Sequence, residues 1–226
     1  MKEVLNALTV DVEDWFHILD VPGEWRLEQW ETLESRVGIG AQRILSLLEE
    51  TGTKATFLVL GWIAEHYPGL VSEIASRGHE LGTHGYAHEL IFSHSPEHFR
   101  ADVVKGRDLI ETVAPGGKVA AYRAPGFSLV ADTIWAVRIL AEAGIAIDTS
   151  IFPAVRGHGG IPGFESRPFR FRWPDGLSLA EFPISVRTVL GRNLAYCGGG
   201  YLRLFPLNLI RHWIRQANRE GLPVDI

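Results

Sequence analysis

The sequence contains almost no sulfur. Among its 226 residues there is one cysteine, Cys197, and one methionine, the first residue. A single thiol can form neither an internal disulfide nor a metal site built from several thiolates. No catalytic base is paired with Cys197 in the pattern, so we interpret it as a small residue packed in a glycine-rich turn.

The basic residues do not outnumber the acidic ones. The sequence has 22 lysines and arginines against 27 acidic residues, which gives a net charge of −5, and the cations are scattered along the chain. Nucleic-acid binding depends on clustered cations that neutralise phosphates. We therefore expect no nucleic-acid partner.

Long apolar runs are lacking as well. The chain begins with a short apolar stretch that is already interrupted by acidic residues up to Asp14. This pattern predicts neither a secretory signal nor a membrane span. The sequence therefore indicates a cytoplasmic protein, and it sets no oligomeric state.

From residue 37 onward, short apolar strands alternate with amphipathic helices. The first helix has Ile44, Leu45, Leu47 and Leu48 on one stripe and stops at Gly52. The predicted helices span 37–52, 67–78, 95–113, 131–144 and 205–221, and the predicted strands span 54–61, 79–85, 118–126, 145–150 and 177–185.

This alternation predicts an α/β fold. Strands joined through helices form parallel sheets, and their right-handed crossovers close readily into a barrel. After residue 150 the pattern loosens into loops rich in glycine and proline. We interpret residues 1–226 as a single domain built around a barrel.

The first predicted strand ends in a group of acids. In TVDVED, Asp11 and Glu13 share one face of the strand and Asp14 follows at its end. The carboxyl ends of parallel strands are where catalytic residues gather. Acids at such a position are typical either of an active site or of solvated loop residues and helix caps.

A pair of histidines follows a second strand. His84 and His88 lie on a loop where one helical turn brings both imidazoles to the same side, about 5–6 Å apart at Cβ. Two histidines and one carboxylate form an open site for Zn²⁺ or a similar ion. His94 and His98 have the same spacing but straddle a predicted helix start, so we interpret them as surface residues.

Arg123 follows a third strand. The rigid turn Ala124-Pro125-Gly126 comes directly after it, and a fixed guanidinium holds a carboxylate through two parallel hydrogen bonds. A surface arginine is the alternative interpretation. Taken together, a metal, a free carboxylate and an orienting arginine suit metal-assisted hydrolysis of an amide or ester.

The three segments resemble the motifs of the NodB-homology polysaccharide deacetylases, which are carbohydrate esterase family four. TVDVED is similar to T-F-D-D-G with a spacer between the acids, and HGYAH fits H-[ST]-x-x-H apart from Gly85. RAPGF is similar to R-x-P-[YFW] with one residue inserted or replaced. DVEDWFH, DTSIFP, EFPIS and GGGYLRLFPL resemble the exosortase-associated subgroup that acts in exopolysaccharide assembly. The resemblance covers most of the chain and implies an irregular (β/α)7-type barrel.

The resemblance also implies an activity. It is hydrolysis of N-acetyl groups on an amino-sugar polysaccharide, oligosaccharide or precursor by metal-activated water, with Asp11 as general base. The cation would be Zn²⁺, with Co²⁺ or Ni²⁺ as alternatives, held by His84, His88 and one acid. We favour Glu13, which shares the strand face of Asp11, over Asp14, the shorter acid usual in the family.

The other family roles fall on the second half of the chain. Arg123 would orient the base, and substrate binding is assigned to Pro125, Phe127 and Trp173. Phe182 is an alternative to Trp173 as a wall of the acetyl pocket. The family's fourth motif is too degenerate here to assign.

The family's fifth motif, a Leu-x-His that supplies the general acid, is missing from the sequence. LPVDI, residues 222–226, reads as the beginning of that strand. We therefore expect a truncated chain whose barrel lacks a complete last strand and whose general acid lies beyond Ile226. His212 is a poor substitute, because its neighbours Trp213 and Ile214 indicate a partly buried helix position.

Two other functions stay open. One is a metal-independent hydrolase of cyclic amides such as allantoin, which the complete set of histidines and acids argues against. The other is a glycan-binding pseudoenzyme that has lost its general acid.

Overall fold

The computed structural model describes residues 4–19, 25–114 and 116–226. Its main sheet has seven strands in the order β1-β2-β3-β4-β5-β7-β6, all parallel except the edge strand β6. The strands are β1 Thr9–Val12, β2 Thr56–Val59, β3 Glu80–Thr83, β4 Ala121–Tyr122, β5 Ile147–Asp148, β6 Phe169–Arg172 and β7 Ser178–Glu181. A separate hairpin pairs β8 Val186–Val189 with β9 Arg192–Ala195. The predicted α/β class is confirmed.

The helices connect these strands. They are α1 Val37–Thr51, α2 Gly61–His66, α3 Pro68–Ser76, α4 Pro96–Val113, α5 Trp135–Glu142, α6 Gly199–Leu204 and α7 Leu207–Arg219. α1 ends at Gly52, which adopts the left-handed conformation with φ 63°. Leu45 and Leu48 of its predicted stripe are buried, whereas Leu47 is exposed.

The ladder of strands does not close into a complete barrel. On the free edge of β1, Ala7 forms a parallel bridge with Asp225, and the Thr9 amide donates to the carbonyl of Ile226. The amide of Asp225 donates to Ser185 Oγ, just beyond β7. The segment predicted to begin a last strand therefore joins β1 and contacts the region after β7, which fits an irregular barrel.

Three glycines bring α2, α4 and the loop after β3 into backbone contact. A Cβ on Gly61 would lie 2.6 Å from Gly106 Cα, and a Cβ on Gly106 would lie 2.8 Å from the Gly85 carbonyl oxygen. Any side chain at Gly61 or Gly106 would therefore push the loop carrying His84 and His88 away from the sheet.

β6 lies in the segment that the sequence predicted as loops. The β8–β9 hairpin and α6 lie in residues 186–204, for which the sequence pattern predicted no element. In β6, half-buried Phe169 and Phe171 alternate with exposed Arg170 and Arg172, the period-2 pattern of a strand with one packed face. Within the described residues, no helix combines the length and apolar character needed to cross a bilayer.

Candidate metal centre and active site

The polar ends of β1, β3 and β4 meet at one edge of the sheet. The residues following these strands line a pocket of about 100 Å³, which includes Asp11, Glu13, His84, His88 and Phe127. A larger cavity of about 530 Å³ lies at the amino ends of β2 to β5. The described residues contain two clusters of three metal-ligating side chains, and neither cluster lies in this larger cavity.

Glu13, His84 and His88 form a cluster that fits a metal ion. One ligand atom from each lies within 4.8 Å of the other two. Glu13 Oε2 is buried and 2.8 Å from His88 Nε2, yet among the described residues no group meets the geometry of a hydrogen bond to it. A buried carboxylate oxygen of this kind needs a partner, and a cation held by the two imidazoles would supply one.

His84 is oriented by a backbone contact. Its Nδ1–H donates to the Arg123 carbonyl oxygen at 2.7 Å, which leaves Nε2 as the acceptor or ligand atom. Burial lowers the pKa of His84 below its ordinary value of 6.5 although Asp11 opposes the shift. A neutral imidazole whose other nitrogen donates to a carbonyl is the usual form of a metal-ligating histidine.

The loop between the histidines is held by Asp102 on α4. The amides of Tyr86 and Ala87 donate to its two carboxylate oxygens at 2.9 and 3.1 Å. Gly85 has φ 78°, and a Cβ there would lie 2.5 Å from Asp102 Oδ2. This explains why glycine replaces the serine or threonine of the motif. Nothing in the sequence pattern indicated Asp102.

His88 itself has the left-handed backbone conformation, with φ 53°. Few residues other than glycine adopt it, and where they do so the surrounding structure imposes it. Here the Asp102 contacts and the close-packed glycines fix the residues directly before His88.

The alternative that Asp14 is a metal ligand needs correction. Its carboxylate accepts hydrogen bonds from the amides of Arg36 and Val37 and from the Ser35 hydroxyl at 2.5–3.2 Å. It also accepts from the amide of Trp15. Asp14 is therefore a buried carboxylate that caps the start of α1, and Glu13 is the acid beside the histidines.

Asp11 and Arg123 form an ion pair. Arg123 Nη1 donates to Asp11 Oδ1 at 2.8 Å, and Nη2 donates to Asp225 Oδ2 and Thr9 Oγ1, each at 2.7 Å. Thr149 donates to the same Asp225 oxygen at 3.0 Å. The guanidinium is thus clamped between two carboxylates, and Asp225 is a positioning residue that the sequence pattern did not indicate.

Asp11 keeps its negative charge in this setting. Burial raises its pKa, but the Arg123 guanidinium and the two imidazoles outweigh that effect and hold the pKa below the ordinary 3.8. The side chain is 27% exposed, so the carboxylate is both ionised and reachable from the pocket. An acceptor in this state is what a general base requires.

The residues predicted to bind substrate separate into two groups. Phe127 lines the pocket, with the guanidinium carbons of Arg156 and Arg123 4.9 and 5.4 Å from its ring centroid. Pro125 is buried and starts the short helix that places Phe127, without lining the pocket itself.

Trp173 needs correction as a wall of this pocket. It stacks on Phe171 at 6.1 Å and lies under Arg138 of α5 at 5.9 Å. It is absent from the pocket lining, as is Phe182. The alternation of β6 continues into Trp173, so the residue belongs to the apolar face of that strand.

Cys197 and His212 have no part in the site. Cys197 is buried, and burial raises the pKa of its thiol to about 12. This agrees with a packed, protonated residue. His212 lies on the exposed side of α7 rather than in the expected partly buried position.

A buried pair of acids lies behind Arg123. Asp148 of β5 and Glu181 of β7 face each other across the ladder and are 0% and 1% exposed. Ser150 Oγ donates to Asp148, and the Ile151 amide donates to Glu181. Burial raises the pKa of both, to about 6 for Asp148 and well above 4.5 for Glu181. We infer that the pair shares a proton, with Glu181 as the protonated member.

This pair predicts a pH dependence of stability. A carboxyl group with a raised pKa in the folded state binds its proton more tightly there, so it stabilises the fold at low pH. That contribution is lost as the pH rises from about 4 through 6. We expect Glu181→Gln to reduce this loss of unfolding free energy between low and neutral pH by roughly 1–3 kcal/mol. The reason is that the glutamine amide can donate to Asp148 without a shared proton.

The measurement is chemical denaturation at pH 4.5 and 7 with Glu165→Gln, an exposed acid, as matched control. Equal pH slopes for the wild type, Glu181→Gln and the control would show that the pair does not share a proton.

Comparison with known proteins finds similarity over two segments of the chain. Residues 39–146, which contain His84, His88 and Arg123, match the polysaccharide deacetylase family model. Residues 149–225 match a domain of unknown function, DUF3473. The central part of the chain, residues 39–146, is therefore similar to the polysaccharide deacetylases, in agreement with the resemblance of the sequence motifs to the NodB-homology family.

Individual relatives match shorter parts of the chain. The chain is 33% identical over 72 residues to a peptidoglycan-N-acetylglucosamine deacetylase of Bacillus cereus, which covers 32% of this chain and 26% of the relative. It is 38% identical over 58 residues to chitin deacetylase 1 of Saccharomyces cerevisiae, covering 26% and 19%. The matches thus span about a quarter or less of these curated relatives.

A solved structure shows the same fold over the whole chain. It is a crystal structure from Mycobacterium smegmatis of a protein assigned to the polysaccharide deacetylases, with a TM-score of 0.72 and 23% identity. The match covers 100% of this chain and 77% of that one. The arrangement of strands around the site is therefore that of a known fold.

Proposed function

We propose that the protein is a metal-dependent hydrolase that removes N-acetyl groups from an amino-sugar polysaccharide or its precursor. The observation that carries the proposal is the buried cluster of Glu13, His84 and His88 beside the paired Asp11 and Arg123. The match of residues 39–146 to the polysaccharide deacetylase family model supports the reaction class. Two imidazoles and one carboxylate are the ligand set of open catalytic zinc sites, so we propose Zn²⁺, with Co²⁺ or Ni²⁺ as substitutes.

A cation held there would act as a Lewis acid, polarising a carbonyl and acidifying water. The chain's own residues supply the remaining steps. Asp11 accepts the proton of the attacking water, and Arg123 keeps the acceptor oxygen in a fixed direction through the 2.8 Å hydrogen bond. Phe127 presents an apolar surface in the pocket of about 100 Å³, which suits the methyl of an acetyl group.

A second groove gives room for sugar rings next to the acetyl pocket. It has a volume of about 320 Å³, shares His88 with the site and is lined by Phe16, His17, Trp25 and Trp30 among others. Because His17 Nδ1 accepts the amide of Asp14, its Nε2 carries a proton. His17 Nε2 and Trp25 Nε1 are buried donors without acceptors among the described residues. Aromatic faces with such donors are suited to a polar ring.

We further propose that the substrate belongs to exopolysaccharide assembly in the cytoplasm. DTSIFP, EFPIS and GGGYLRLFPL support this placement, and apart from Asp148 they fall in the segment that matches DUF3473. The identity of the group that protonates the leaving amine stays a prediction, as does the interpretation of residues 1–226 as a single domain.

The test is acetate release by the full-length protein from chitooligosaccharides and poly-N-acetylglucosamine. We expect release that stops after treatment with a chelator and returns with added Zn²⁺. Release that is insensitive to the chelator, or hydrolysis of allantoin instead, would favour the metal-independent alternative. Glycan binding without acetate release would favour the pseudoenzyme.

A further inference from the structure

A second cluster of metal-ligating side chains lies on the surface. One ligand atom each from Glu89, His94 and His98 lies within 4.8 Å of the other two. His98 Nε2 is 2.8 Å and His94 Nε2 is 3.3 Å from the same atom, Glu89 Oε2. Both imidazoles therefore point their Nε2 atom at the same carboxylate oxygen of Glu89.

The start of α4 builds this cluster. His94 is extended, with φ −128° and ψ 159°, and directly precedes Ser95, whose hydroxyl caps the helix by accepting from the His98 amide. Pro96 fixes the first helical position. The imidazole rings of His94 and His98 are stacked, with centroids 4.3 Å apart and planes at 16°.

The charges around the cluster favour a divalent cation over two protons. Two imidazolium rings at this distance repel each other, and one carboxylate neutralises only one of them. His98 also lies in the first turn of α4, where the helix dipole disfavours a positive side chain. One divalent ion between two neutral imidazoles and the Glu89 carboxylate satisfies all three groups.

The structure assigns Glu89, His94 and His98 to a second, exposed binding site for a Zn²⁺-class cation. In a tetrahedral site with bonds of about 2.0–2.1 Å, ligand atoms lie about 3.3 Å apart, close to the separations in this cluster. Binding requires the stacked rings to tilt until both lone pairs converge. Nitrogen ligands select Zn²⁺, Ni²⁺, Co²⁺ or Cu²⁺ over Mg²⁺ and Ca²⁺.

This site differs from the buried centre in affinity and in effect. The side chains of Glu89, His94 and His98 are 37%, 21% and 53% exposed, so binding must order them and is weaker than at the buried cluster. Glu89 directly follows His88 in the chain. A cation on the outer site therefore ties the segment that carries His88 to the first turn of α4, and we expect it to raise the melting temperature.

The test is a titration of metal-free full-length protein with Zn²⁺ and with Co²⁺, followed by calorimetry and by Co²⁺ absorbance. We expect two classes of site in the wild type. The double variant His94→Ala/His98→Ala should lose the weaker class, and Glu89→Gln should weaken it at least tenfold. His88→Ala should keep it. His66→Ala is the matched control, since His66 also pairs with an exposed acid, Glu31, at 3.1 Å.

The results separate this site from the catalytic proposal, on which it does not depend. A double variant that binds as many equivalents of Zn²⁺ as the wild type would overturn the assignment, as would a His88→Ala variant that binds no Zn²⁺. The variant's melting temperature without metal reports its folding. The increase in melting temperature on adding Zn²⁺ should shrink in the double variant and stay unchanged in His66→Ala.

Discussion

Replacing His88 with alanine will remove the tightly bound cation and lower acetate release by roughly 10³-fold or more. The reason is that two ligands, Glu13 and His84, remain where three are needed, and Lewis-acid stabilisation of several kcal/mol is lost. Metal content per chain, measured by inductively coupled plasma spectrometry after gel filtration, reports the first effect. Acetate release reports the second.

Asp14→Asn is the informative control for this variant. Asp14 was the alternative ligand, but its carboxylate caps the start of α1 through Arg36, Val37 and Ser35. The variant should keep its metal and lose about 1–2 kcal/mol of unfolding free energy. If Asp14→Asn lost the metal and His88→Ala retained it, the assignment of the ligands would have to be reversed.

Replacing Asp11 with asparagine will lower the rate of acetate release by about 10²–10⁴-fold while the metal content stays at the wild-type value. Asparagine keeps the size of the side chain and can still contact Arg123, but it cannot accept a proton. The loss should therefore appear in kcat rather than in metal affinity. Single-turnover acetate release from a chitooligosaccharide measures it.

Asp175→Asn provides the matched control, because Asp175 is an exposed acid paired with Arg138 on the outside of the protein. It should release acetate at the wild-type rate. Wild-type turnover by Asp11→Asn would mean that another group accepts the proton and that the Asp11–Arg123 pair is only structural.

The positions of the chemical groups could be predicted because parallel strands bring their carboxyl ends to one edge. Asp11 lies in the second half of β1, and Glu13, His84 and Arg123 directly follow β1, β3 and β4. Their positions in the sequence were therefore enough to place them at one edge of the sheet. The choice between Glu13 and Asp14 depended on strand alternation, which places Glu13 on the face of Asp11. The pattern could not show that Asp14 accepts from amides more than twenty residues away.

The groups that sequence reasoning missed are buried acids with distant partners. Asp225 accepts a hydrogen bond from Arg123, which lies 102 residues earlier in the sequence. Asp102, in the middle of α4, accepts from the loop amides of Tyr86 and Ala87. An acid within a helix or short strand looks like an ordinary surface residue until its neighbours are known. Asp148 was missed for the same reason.

Trp173 illustrates the opposite error. An aromatic residue in a loop-like segment rich in glycine and proline was assigned to the pocket because the family places an aromatic wall there. The two phenylalanines before it form one face of β6 and extend that face to Trp173. Recognising the period-2 pattern over residues 169–173 would have predicted packing instead of substrate contact.

The most direct test of the account is the position of the bound ion in crystals grown with Zn²⁺, located by anomalous diffraction at the zinc edge. We expect the strongest peak within about 2.0–2.2 Å of one nitrogen each of His84 and His88 and of a Glu13 carboxylate oxygen. A strongest peak that contacts none of these three side chains would contradict the proposed metal centre.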